Sequence, residues 1–95
     1  MKTSLRDFDV ADYLDSEEQL SAYLSAAMAE SDEAVFLAAL GAVARRRGMG
    51  SVASRSGLGR ESLYKALTPG SHPRYETIRQ VLAGMGLRLT VVPAS

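Results

Sequence analysis

Apolar residues recur every third or fourth position through most of the chain and every second position near its end. Leu20, Tyr23, Leu24, Ala27 and Met28 fit one face of a helix. Ser16 and Gln19 stand at the spacing of a capping box, and Glu17 and Glu18 fall in a first turn, where the helix dipole favours acids. The pattern therefore predicts a helix over Ser16–Ala29. Ser31-Asp32-Glu33 opens a second helix, whose stripe of Phe36, Leu37, Leu40, Val43 and Ala44 stops at Gly48. A short third helix is expected over Ser51–Ser56 with Val52 and Ala53 inward. A fourth is expected over Arg60–Leu67 with Leu63 and Leu67 inward, and a fifth from Tyr75 to Gly84, carrying the stripe Ile78, Val81, Leu82 and Met85. Thr68 to Pro73 reads as a loop by its Pro, Gly and Ser content. The first dozen residues have weak periodicity and read as irregular or a short turn.

The period changes after Gly86. Leu87, Leu89 and Val91 alternate with Arg88, Thr90 and Val92, and Pro93 closes the run. A lone strand leaves its backbone donors and acceptors unpaired, and nothing else in the chain reads as a good strand. The expected partner is the same strand of a second copy, paired about a two-fold axis. Leu87, Leu89 and Val91 are then the dimer interface; the alternative is a coil tail packed on the core. The fold class expected is mainly α: five helices with a C-terminal β-strand pairing across a dimer. One domain spans 1–95, with an acidic segment and helix over 1–31, a helical core over 32–86 and the strand over 87–93.

The stretch SVASRSGLGRESLYKAL, residues 51–67, breaks a helix and restarts it at once. Two short helices joined by a tight glycine-containing turn cross steeply. The crossing demands a small residue, supplied by Ala53, and the corner demands a residue that tolerates positive φ, supplied by Gly57. Val52, Leu58, Leu63 and Ala66 can pin the pair to the core. This is the pattern of a helix-turn-helix, whose second helix enters the major groove of DNA. Arg60, Glu61, Ser62, Tyr64 and Lys65 are the candidates for contact. Arg60 can donate two hydrogen bonds to a guanine. Glu61 can accept from cytosine or orient Arg60, and Ser62 can donate, accept or only back-bond. Tyr64 either packs on a sugar or thymine methyl or is a core or dimer residue. Lys65 suits phosphate, as do Arg55 and Arg74, though both arginines read equally well as solvated side chains. Ser51, placed at the start of the third helix, either caps it or offers its hydroxyl and nearby amides to a phosphate.

Charge sharpens this picture. The chain is neutral overall, yet residues 1–44 hold nine acids and two bases while residues 45–95 hold nine bases and two acids. A basic half suits a polyanion; an acidic half suits a basic protein or an internal screen. Arg45, Arg46 and Arg47 fit a helix C-terminus, a phosphate contact, or both. The acidic helix, with Tyr13, Leu14, Leu20, Tyr23 and Leu24, is a candidate docking surface for a basic partner, or it packs on the core. The 95 residues contain no cysteine, which excludes disulfides and thiolate metal sites. There is no signal peptide pattern and no apolar run near the ~18 residues of a membrane helix, so a cytoplasmic protein away from membranes is expected. No phosphate loop, metal-ligand cluster or nucleophile elbow occurs, and the single histidine, His72, sits in a Pro-Gly loop. Neither enzymatic activity nor a cofactor is expected.

Val52-Ala53, Gly57-Leu58-Gly59 and Leu63, with the flanking helices, resemble the lambda-repressor-like helix-turn-helix family over residues 32–86. Ser56 departs from that family, which usually has an apolar residue there. More narrowly, GLGRESLYKAL, then Pro-Arg-Tyr-Glu-Thr-Ile and Leu-Ala-Gly-Met-Gly-Leu-Arg-Leu-Thr-Val, with the opening DFDVADYLDSEEQLSAYLSAAMAE, are similar to the antidote proteins of bacterial toxin–antitoxin pairs. This resemblance covers nearly the whole chain. It implies an antitoxin that dimerises, binds double-stranded DNA at a palindromic operator to repress its own operon, and neutralises a small basic ribonuclease-like toxin. The other readings are a protein-interaction module that keeps the helix pair as scaffold, and a transcription regulator without a toxin.

Overall fold

A computed structural model describes residues 16–94 and contains five helices: α1 (Glu17–Met28), α2 (Glu33–Arg47), α3 (Met49–Ser56), α4 (Arg60–Ala66) and α5 (Tyr75–Ala83). The expected structure of the first dozen residues lies outside the described residues. α1 begins where the sequence signal placed it: the Ser16 hydroxyl accepts from the Gln19 amide at 3.1 Å. α2 is capped by Asp32, whose carboxylate accepts from the Ala34 amide at 3.0 Å, and it ends in Arg45, Arg46 and Arg47. Arginines in that turn complement the partial negative charge of the helix end.

The core is drawn from every helix. Leu20, Leu40, Val43, Leu63, Val81 and Met85 are its largest fully buried side chains, joined by Leu24, Val52, Ala53, Leu67 and Leu82. α3 is the hub, packing against α2, α4 and α5, while α1 covers α2. The expected inward residues of α3, α4 and α5 are buried, apart from Ile78, which is half-buried. Met28 is the exception on α1. It follows the apolar stripe but lies at the end of the helix, exposed.

Three features differ from the expectations. α3 begins at Met49, two residues early, because Gly48 both closes α2 and opens α3. Burial of the Met49 side chain draws the chain into the helix at that point. The second concerns Ser56, which lies buried where α3 meets α5, its Oγ without a hydrogen-bond partner. Gly84 permits this contact: a Cβ there would strike Ser56 Oγ and approach Ser56 N at 3.0 Å and Val52 O at 3.2 Å.

The third is the C-terminal segment. Residues 87–94 form no strand within the chain. The alternation survives as burial, for Leu87 and Leu89 pack half-buried against the core while Arg88 and Thr90 face outward. Val91 is 95% exposed and Val92 71%. A strand needs a neighbour to bond to, and within the described residues none lies alongside.

Candidate nucleic-acid interface

The corner between α3 and α4 explains the break in the sequence. Gly57 takes a left-handed conformation, φ 76°. Its amide donates to Ser54 O at 3.3 Å, and the Leu58 amide donates to Ala53 O at 3.0 Å. These two bonds are a Schellman motif, which satisfies carbonyls that the helix end leaves free. Leu58 packs half-buried against the core, so the corner is pinned from within. Gly59 then opens α4 in an extended conformation.

α4 is anchored on one side only. Leu63 and Leu67 are buried and Ala66 is half-buried, whereas Arg60, Glu61, Ser62, Tyr64 and Lys65 are all exposed. The far end is held by side chains: Thr68 Oγ1 donates to Tyr64 O at 2.8 Å, and Ser71 Oγ donates to Ala66 O at 2.7 Å. A helix of seven residues is marginal alone, so these bonds and the two leucines fix its direction.

Tyr64 is 47% exposed and so is not a core residue. Its ring lies beneath the Arg60 guanidinium, 5.9 Å from centroid to Cζ, and Arg60 Nη2 points at its hydroxyl at 3.5 Å. Such pairs, one turn apart and exposed, contribute about 0.5–1 kcal/mol. Orienting Arg60 was one of two roles expected of Glu61; the observed contact of the Arg60 guanidinium is with Tyr64. The signal was present as an Arg–Tyr pair at i,i+4, the spacing at which helical side chains meet.

Ser62, Lys65 and Arg74 line one open groove of about 460 Å³ between α4 and the start of α5, together with Pro73, Thr77 and Gln80. Ser51 and Arg55 stand one turn apart on the exposed side of α3. Ser51 does not cap that helix: Gly48 occupies the cap, which has no side-chain hydrogen bond among the described residues. Ser51 is the third helical residue, so its own amide is among the groups a helix start leaves free. All nine bases of residues 45–95 fall within the described part, against Glu61 and Glu76. The exposed side of α4 and its flanks thus offer donors and positive charge, suited to a phosphate backbone and to base edges. Among the described residues, no three His, Asp or Glu side chains gather as a metal site, and no helix is long and apolar enough to cross a membrane.

A family model described as "Probable addiction module antidote protein" matches residues 4–93. An uncharacterized protein of Haemophilus influenzae is 40% identical over 91 residues, which cover 96% of this chain and 94% of that one. No solved structure matches the chain.

Proposed function

The chain belongs to the family of probable addiction module antidote proteins, and we propose that it acts as an antitoxin that dimerises on its own operator, represses transcription there and neutralises a small basic toxin. The observation that carries the DNA half of this reading is the exposed side of α4. A polar, Arg60-led surface projects from a helix whose other side is sealed by Leu63 and Leu67. In this reading α3 and α4 are a helix-turn-helix and α4 lies in the major groove. Arg60, held along the helix by Tyr64, donates to guanine O6 and N7, a contact that discriminates by about 1–3 kcal/mol. Glu61 and Ser62 address neighbouring bases, and Tyr64 reaches a sugar or thymine methyl. Lys65, Arg74, Arg55 and Ser51 hold the phosphate backbone, which sets register without reading sequence.

One short helix reads too few base pairs for an operator. Residues 88–92 supply the contact with the second copy in this reading: they form no strand within the chain, and Val91 is exposed for contact. Two recognition helices about 34 Å apart would meet successive major grooves of a palindrome. Leu87, Leu89 and Val91 then govern DNA binding without touching DNA.

The test is the double variant Arg60→Ala with Lys65→Ala. Loss of specific binding to the protein's upstream DNA, with capture of the toxin unchanged, is the expected result. Unchanged binding of that DNA would remove α4 from the interface.

A further inference from the structure

We propose that the groove between α1 and α2 is the docking site for the toxin, a basic protein that inserts an apolar helical ridge there. This rests on the antitoxin reading and names the surface through which it operates. The groove is open, about 490 Å³, and lined by Tyr23, Ala26 and Ala27 of α1 and Val35, Ala38 and Ala39 of α2. Four of these six are alanines, so the two helix backbones leave a trough between them that their own side chains do not fill. Val35 stands exposed on its wall. An apolar trough between two helices fits the ridge of a third, carried on residues at i, i+3 and i+4.

Charge decides what can occupy it. Glu30 lines the groove, and Asp32 and Glu33 stand at the start of α2. From Ser16 to Ala44 the chain holds five acids and not one lysine, arginine or histidine. Glu30 on the groove, on a stretch of chain that carries acids alone, attracts a partner whose apolar ridge is flanked by Lys or Arg and repels a polyanion. It also disfavours two alternative occupants. A second copy paired groove to groove would bring like charge against like. So would residues 1–15, in which Asp7, Asp9, Asp12 and Asp15 outnumber Lys2 and Arg6. The apolar residues expected to dock are thereby revised: Tyr13 and Leu14 lie outside the described residues, Leu20 and Leu24 are buried in the core, and Tyr23 lines the groove together with Ala26.

The experiment uses the full chain and, as probe, the purified product of the open reading frame beside its gene. Affinity is measured by calorimetry for the wild type, Ala38→Arg, Glu30→Lys and the Arg60→Ala/Lys65→Ala variant. Ala38 is exposed, and arginine is a good helix former, so the first variant keeps the fold, checked by circular dichroism and melting. Ala38→Arg fills the trough and opposes a basic partner; it is expected to weaken binding about a hundredfold. Glu30→Lys weakens it less and flattens its salt dependence, and the Arg60/Lys65 variant binds as the wild type does. Wild-type binding with Ala38→Arg within about threefold of it would overturn the groove assignment alone. Loss on the Arg60/Lys65 variant instead would move the partner to α4, against the proposal. No binding by the wild type would sink the toxin-neutralising reading together with the groove.

Discussion

Single residues set the tolerances of this fold. Ser56 is the clearest case. The sequence marked it as a polar residue where an apolar one is usual, and the structure buries it with an unpartnered hydroxyl against Gly84. What one sequence did not reveal was the reason. Gly84 does end α5, as the helix pattern over Tyr75 to Gly84 implies, and its missing Cβ also lets α5 approach α3. A buried hydroxyl without a partner costs about 1–3 kcal/mol, and its removal costs nothing that it had supplied. Ser56→Ala is therefore expected to raise unfolding free energy by about 1 kcal/mol, read from urea denaturation; a loss of that size would mean that the hydroxyl holds the crossing. Arg60 and Tyr64 show the converse. Their spacing was plain in the sequence, but Tyr64 fits either a core or a surface role until the exposed ring is seen beneath the guanidinium.

Elements were legible wherever apolar spacing and capping chemistry agreed. Ser16, Asp32 and Gly57 all act at helix ends, as their residue types imply. Ser51 also looked like a helix start, but the helix begins at Met49, because a buried methionine outweighs a local capping preference. The α3–α4 corner depends on Gly57 by conformation alone, since a Cβ there meets nothing within 4 Å. Gly57→Ala should thus cost about 1–2 kcal/mol, the penalty for an L-residue at positive φ, without a steric component. A melting temperature unchanged by that substitution would show that the corner relaxes to another conformation.

The C-terminal segment belongs to the next scale, because its period-2 pattern describes a relationship between molecules. Alternation predicted a strand, and one chain supplies only the alternating burial of Leu87 and Leu89. Val91 contributes nothing to the core, so Val91→Asp should leave the melting curve of a dilute sample nearly unchanged. In sedimentation it should shift the protein from dimer to monomer and weaken operator binding in parallel. A Val91→Asp protein that sediments as the wild type does would exclude the segment from the dimer interface.

The charge split runs through the whole molecule: acids on α1 and the start of α2, bases from Arg45 onward. The sequence disclosed this division in full, but not that it separates an apolar trough from a donor-rich helix. The basic part is expected to bind a polyanion while the acidic part stays clear of it. The most direct measurement is the affinity of the wild-type protein for its own upstream DNA, titrated in salt beside a scrambled duplex. Specific binding that weakens with salt by a slope of about 0.9 per phosphate contact, over several contacts, is the predicted result. Affinity equal for both duplexes, or insensitive to salt, would contradict it.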